Sequence, residues 1–244
     1  MMERVAIGSS DNDRVDETLA RFLDLRAEDS HSLVAGVTLS IARDIIEGTI
    51  PPGATLDSIT LAERFGMSRT PIREALISLE HAGLVVIQPR RRPRAFDPML
   101  EQVVEIYELR AELHALVARK VVRRASDEQI QALGAPLSRM QEAAADDDVA
   151  RFFWGNVGFH DALMDITADA TLRRTIDGLG LQVLRLRRLG VSLPGRMARA
   201  LADNERLLVA LHERDEDLAA VLARSLILRA LDGLRLVLGS TESQ

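Results

Sequence analysis

Apolar residues recur three and four positions apart along most of the chain, which is the period of helices buried on one face. Val15, Leu19, Phe22 and Leu23 predict a short amphipathic helix over about residues 14–26, inside a polar extension of residues 1–31. Two readings of that extension stand side by side, a partly ordered tail and a helix docked on a partner subunit. Val34, Val37, Ile41, Ile45 and Ile46 form a second helical stripe, closed by Gly48. The following TIPPGATL carries a Pro-Pro-Gly turn that cannot continue a helix. Residues 58–65 and 69–82 then read as two helices separated by a tight turn at Gly66, with Ile72, Ala75, Leu76 and Leu79 as the buried stripe of the second. Gly83 follows, where a left-handed helix stop costs glycine least. Only then does the rhythm change: LVVIQP reads as a β-branched strand, RRRP as a turn and RAF as a short return strand. Three helices and a two-stranded β-hairpin over residues 32–96 amount to a winged helix-turn-helix.

Residues 97–100, DPML, break regular structure and read as a hinge; everything from there to about residue 240 is helical in period. Val103, Ile106, Arg110, Leu113 and Val117 share one stripe of a helix over 100–124. Ser126 with Gln129 makes a capping box for a helix over about 127–145, in which Pro136 predicts a kink. Further helices are expected over about 148–166, 172–186, 197–211 and 218–238, the one over 172–186 weakened by Gly178 and Gly180. The fold class is therefore mainly α, with the winged domain (32–96) joined through a linker (97–100) to an antiparallel bundle of six or seven helices (101–240). No internal repeat or low-complexity tract interrupts it.

Composition sharpens this picture. With 47% apolar and 28% charged residues the chain can bury a core in each half. Cysteine is absent, which excludes disulfides and thiolate zinc sites and fits a reducing cytoplasm. Residues 1–33 are charged throughout and lack the apolar centre of a secretory signal, and no apolar run approaches the roughly 18 residues of a membrane span, so a cytoplasmic protein with no membrane partner is expected. Net charge is −6, yet the segment from Arg64 to Arg94 holds seven arginines against Glu74 and Glu80. An acidic chain with one basic segment reads as a nucleic-acid module attached to something else.

The run LAERFGMSRTPIREALISLEHAGLV at residues 61–85, preceded by IIEGTIPPGATL at 45–56, resembles the GntR family of bacterial transcription regulators. The later runs EIYELRAELHALVARKV and NVGFHDALMD, with the final helix pair, resemble its FadR-like branch, whose C-terminal effector-binding (FCD) domain is all helical. The resemblance spans about residues 34–238 and implies a homodimeric regulator, commonly a repressor, that binds a short palindromic double-stranded DNA operator and responds to a small-molecule effector of the organic or sugar acid class. Two positions depart from the family pattern. Ile59 stands where many members carry a polar or basic residue, and the wing tip is Arg90, Arg91, Arg92 and Pro93 where a glycine-rich tip is usual.

The DNA-contacting residues implied are Ser68, Arg69, Thr70 and Arg73 on the second helix of the motif, Arg64 before it, and Arg90, Arg91 and Arg92 on the wing. Guanidiniums suit guanine edges, phosphates and a narrow minor groove, and Ser68 suits an N-cap that also faces a phosphate. In the helical half, three stripes carry polar groups at inward positions: Arg110 and His114, Asn156 and His160, and Asn204. A buried arginine needs an anionic partner, either a protein carboxylate or the carboxylate of an effector. Arg185, Arg187 and Arg188 read as a solvated face. Many relatives hold a divalent metal through an Asp or Asn and a His one turn apart plus two later histidines; here Asn156 and His160 keep the first pair, while the later positions fall at Asn204 and Leu226, so a zinc or nickel site would be incomplete. The alternatives to a ligand-responsive regulator are a DNA-binding protein with an unliganded sensor domain and a helical-bundle metal-dependent enzyme. For an enzyme the chain supplies neither a nucleophile with a paired base nor a full metal ligand set.

Overall fold

A computed structural model describes residues 9–25 and 32–241. The rest of the extension, residues 1–8 and 26–31, lies outside the described residues, as does the end of the helix expected over 14–26. The chain divides into two compact units: residues up to 97 together with 177–185, and residues 98–176 together with those from 186 onward.

The first unit is built on α1 (Ser9–Phe22), α2 (Leu33–Glu47), α3 (Ser58–Phe65) and α4 (Arg69–His81), followed by β1 (Val85–Val86) and β2 (Arg94–Ala95). α2 starts at Ser32, whose hydroxyl accepts from the Ala35 amide at 3.1 Å, and stops at Gly48 with φ +86. Val37, Ile41, Ile45 and Ile46 of α2 meet Ile72, Ala75, Leu76 and Leu79 of α4, and all are buried. At about 1.5–3 kcal/mol for each large aliphatic side chain, this interface is the main stabilising term of the unit. Within the extension α1 packs on α2 of its own chain, burying Val15 and Leu19 and, just past its end, Leu23, with Asp16 accepting from Arg43 at 2.7 Å.

The hairpin is shorter than its sequence suggests. Val85 pairs with Ala95 and Val86 with Arg94, antiparallel. Backbone beyond these pairs is satisfied by the Pro-Pro-Gly segment: Ala95 donates to Ala54 at 2.9 Å, Leu56 to Pro93 at 2.8 Å, and Gly53 to Ala95 at 3.1 Å. Residues 53–56 thus act as a third edge of the wing, which a turn signal alone did not reveal. Residues 177–185 join this unit through the backbone of Leu181, which donates to the Ala82 carbonyl at 3.0 Å, and through Arg185, which donates to the Phe96 carbonyl at 3.2 Å.

The second unit contains α5 (Leu100–Arg124), α6 (Asp127–Ala132), α7 (Gly134–Ala145), α8 (Val149–Thr167), α9 (Ala170–Asp177), α10 (Gln182–Ser192, of which residues from 186 onward belong here), α11 (Arg196–His212) and α12 (Glu216–Thr241). The capping box forms as expected, Ser126 accepting from Gln129 at 3.2 Å and its own amide donating to Gln129 Oε1 at 2.9 Å. Two expected helices are each divided. The 127–145 helix breaks at Leu133, three residues ahead of Pro136, because proline restricts the turn before it. The 172–186 helix breaks over 178–181, where Gly180 takes φ +78.

Long α5 and α12 run against each other as the spine. Two apolar clusters form on this spine. One gathers Val117, Val121, Met140, Phe152, Phe159, Leu163, Leu207 and Leu211; the other gathers Val103, Tyr107, Ala111, Leu186, Ile227, Leu231 and Leu234.

Candidate functional site

Two sites follow from these elements, one in each unit. In the first, the buried stripe of α4 fixes which residues face out: Ser68, Arg69, Thr70 and Arg73 are all exposed, and among the described residues neither arginine is held by a carboxylate. Ser68 occupies the N-cap with extended backbone, but its hydroxyl makes no capping hydrogen bond. A cap oxygen bonds the amide of the second or third helical residue; the third here is Pro71, which has none, and the amide of the second, Thr70, is not bonded by Ser68. The expected double role of Ser68 therefore reduces to an outward hydroxyl, beside the free first-turn amides that make a helix N-terminus receptive to phosphate.

Arg64 is placed differently, its guanidinium 2.6 Å from the carboxylate of Asp44 on α2. On the wing, Arg90, Arg91 and Arg92 are exposed, and Arg94 of β2, which sequence reasoning passed over, is exposed with them. Arg91 donates back to the Gln88 carbonyl at 3.1 Å, closing a turn with Pro89 second and Arg90 third. Arg90 has φ +63, the left-handed conformation that a glycine at this position would take without strain. The arginine tip thus keeps a glycine-type turn and adds charge to it. Ile87 is tied to the recognition helix by its amide, which donates to Glu80 Oε1 at 3.0 Å.

The second site is a cavity open on one side, lined by residues of α5, α8, α10, α11 and α12. Tyr107 and Arg110 enter from α5, Asn156 and His160 from α8, and Arg187 from α10. Arg196 and Ala200 of α11 and Leu226, Ile227 and Ala230 of α12 complete the wall. The cavity lies where the two apolar clusters meet, since Tyr107, Leu226 and Ile227 belong to one and Ala200 to the other. Of the predicted residues, the fold brings Arg110, Asn156 and His160 together. His114 packs edge to face on His160, ring centroids 5.1 Å apart at 89°, without lining the cavity. Asn204 is buried on α11 and donates to the Ala200 carbonyl at 2.8 Å, one turn from the wall.

Arg187 overturns the reading of residues 185–188 as a solvated face. It is half-buried and donates to Asn156 Oδ1 at 2.9 Å, while Arg185 is buried and holds the Phe96 carbonyl. No periodicity argument could find this, because the helix break over 178–181 resets the face that α10 presents.

The electrostatics are one-sided. Arg110 is 2% exposed, its guanidinium lies 4.7 Å from the Tyr107 ring centre, and its Nε and Nη1 have no hydrogen-bond acceptor among the described residues. Burial lowers the Arg110 pKa, and burial followed by repulsion from Arg110 pushes Arg187 down to about 10, so both remain charged at neutral pH. Burial holds His160 well below the usual histidine range, with Arg187 and Arg110 adding to the shift; His114 is depressed by burial and then by His160. Burial raises the Tyr107 phenol, which stays a neutral donor. No Asp or Glu lines the cavity among the described residues.

Comparison with known proteins agrees with this division. The pattern of the gntR family of bacterial regulatory proteins matches residues 33–93, and that of the FCD domain matches residues 105–229. The HTH-type transcriptional repressor RspR of Escherichia coli K12 is 30% identical over 180 residues, 72% of this chain and 78% of that protein. The uncharacterized HTH-type regulator YdhC of Bacillus subtilis is 27% identical over 72% of this chain and 79% of its own. Among solved structures, E. coli McbR/YncC superposes with a TM-score of 0.69 at 22% identity, covering 86% of this chain and 99% of that one, which speaks to the fold.

Proposed function

Because the chain belongs to the GntR family of bacterial transcription regulators and carries an FCD domain, we propose that it acts as a ligand-responsive repressor that binds a short palindromic operator as a homodimer. It is a regulator and not an enzyme, as its relatives are. Residues 32–96 are the DNA-binding domain, 97–100 the linker, and 101–240 the effector-binding and dimerisation domain, in a cytoplasmic protein. The outer face of α4 (Ser68, Arg69, Thr70, Arg73) enters the major groove and the Arg90–Arg92 tip the minor groove, with Arg64 braced on Asp44 beside the backbone.

The effector is a small carboxylate-bearing metabolite bound in the helical cavity by Arg110, Asn156 and His160, with His114 and Asn204 shaping the polar wall. One observation carries this reading: a guanidinium buried to 2% exposure with unbonded nitrogens at the wall of a cavity open on one side. α10 is a single helix bearing both Arg187 and, two residues earlier, the Arg185 that holds the Phe96 carbonyl. It supplies a covalent route from effector to winged domain. A dimer reaches both half-sites at one spacing only, so a small displacement costs much of the affinity.

The test is fluorescence anisotropy of the protein on its own promoter DNA at moderate salt, with and without a panel of organic and sugar acids. Specific binding weakened by one of them is expected. No specific binding overturns the regulator mechanism proposed, and binding that none of them alters favours an unliganded sensor domain.

A further inference from the structure

The donors that a divalent metal would use are poorly disposed here. Asn156 already accepts from Arg187, the fourth position implied by the family is Leu226, and no cluster of three His, Cys, Asp or Glu side chains suited to a metal occurs among the described residues. A cation set against His160 and Asn156 would lie beside two guanidiniums and gain no anionic ligand. The same features that turn a metal away call for an anion. Burial lowers the proton affinity of Arg110, and burial followed by Arg110 lowers that of Arg187 to about 10; a guanidinium so placed stays charged at neutral pH. The carboxylates just outside are committed: Asp161 accepts from Arg173 at 3.3 Å, and Asp203 pairs with Arg229.

We propose that the cavity is a metal-independent site for a compact dianion, a dicarboxylate or a phosphomonoester, whose two charges are met by Arg110 and Arg187. This deepens the effector reading above and rests on it for its consequence at DNA. Asp203 favours the charge of Arg196, the third guanidinium of the wall, and Asp161 that of Arg187, yet neither carboxylate lines the cavity. A monoanion leaves Arg110 or Arg187 without a charge-assisted contact there, whereas a dianion supplies one to each. The Tyr107 hydroxyl, unbonded and fully buried, and His160, whose Nδ1 has no partner, are neutral groups able to bond the remaining oxygens. Val191, Leu226, Ile227 and Ala230 offer an apolar wall to a short carbon chain. Arg187 thus takes the place that a metal ion holds in the family pattern.

The experiment is thermal denaturation of the full chain in EDTA at constant ionic strength, titrated with succinate, with inorganic phosphate, and with acetate as the monoanion. Succinate or phosphate is expected to raise the melting temperature with a midpoint about tenfold or more below that of acetate, the size of losing one charge-assisted contact. Which of the two acts at lower concentration separates the dicarboxylate from the phosphomonoester. Arg187→Met and Arg110→Met are expected to lose this response. Ligand-free, Arg110→Met melts no lower than the parent because it removes a buried charge whose Nε and Nη1 have no acceptor among the described residues. Arg187→Met melts somewhat lower because Asn156 Oδ1 loses its donor, and Arg187→Lys, a fold control, keeps a weakened response. Equal midpoints for acetate and the dianions, a response that appears only with added Zn²⁺ or Ni²⁺, no dianion response at all, or a parental response in Arg187→Met would overturn the assignment. If acetate or metal alone weakens operator binding, the effector reading stands and the dianion assignment falls. If the arginine-dependent dianion response appears but operator affinity does not change, the site stands and the ligand-responsive reading falls.

Discussion

Gly180 rests against the carbonyl of Ala82: the next amide, Leu181, donates to that oxygen at 3.0 Å, and a Cβ on Gly180 would lie 2.9 Å from it. Gly180 also holds φ +78, which an L side chain adopts only with strain. Gly180→Ala is therefore expected to destabilise the first unit by about 1–3 kcal/mol, from backbone strain together with the clash. Hydrogen exchange should show the loss concentrated at the amides of residues 180–185 and of Leu84, which donates to Leu79 at the end of the recognition helix. Unchanged protection there would show that the contact carries no weight.

On the proposed DNA-binding face of α4, the response to salt separates base contacts from phosphate contacts. Arg69→Ala and Arg73→Ala are each expected to weaken operator binding, with the folded state unaffected because neither side chain packs in the core. A base contact costs about 1–3 kcal/mol of discrimination and leaves the salt slope unchanged, whereas a phosphate contact lowers that slope by about one unit with little change in specificity. Anisotropy on operator and scrambled DNA from low to moderate salt reads both. Wild-type affinity in the double variant would remove α4 from the interface.

Arg90 sets stability against DNA affinity at one residue. Replacing it with glycine relieves a positive φ worth about 1 kcal/mol, so Arg90→Gly is expected to melt slightly higher than the parent. The same change removes a wing charge and is expected to weaken DNA binding. A variant that is neither more stable nor weaker on DNA would contradict both halves of the reading.

His114 and His160 predict the acid limb of stability. Burial depresses both well below the ordinary histidine value of about 6.5, so the unfolded chain binds protons that the folded chain refuses. Stability is then full above about pH 6.5 and falls as the pH drops below it, by up to about 1.4 kcal/mol per pH unit for each histidine. Urea denaturation between pH 7.5 and 5 measures the slope. A His114→Asn, His160→Asn double variant is expected to flatten it relative to the parent, and an unchanged difference between the two would show that these imidazoles titrate normally.

Much of the first unit was legible because its signals are local. The glycine stop after α2 and the period of α4 act within one or two turns, so residue type and spacing suffice to place them. The same holds for the Ser126 and Gln129 capping box in the second unit. Pro71 was equally legible, and it says that Ser68 has no third-residue amide to cap. What escaped was any feature needing a partner far along the chain. The wing gains its third edge from residues 53–56, and α1 finds its apolar surface on α2.

Residue type and spacing alone establish a winged DNA-binding domain joined to a helical bundle, and which face of the recognition helix carries its arginines, because a buried stripe at helical spacing leaves the opposite face to solvent. Which charges of the bundle meet in one cavity without a carboxylate in its wall follows only from the packing of the helices. Arg110 and Arg187 belong to helices distant in sequence, and one of them reads as a surface arginine by its neighbours alone. Whether a charge is paired depends on every side chain that packs around it, and that set exists only once the helices have been assembled.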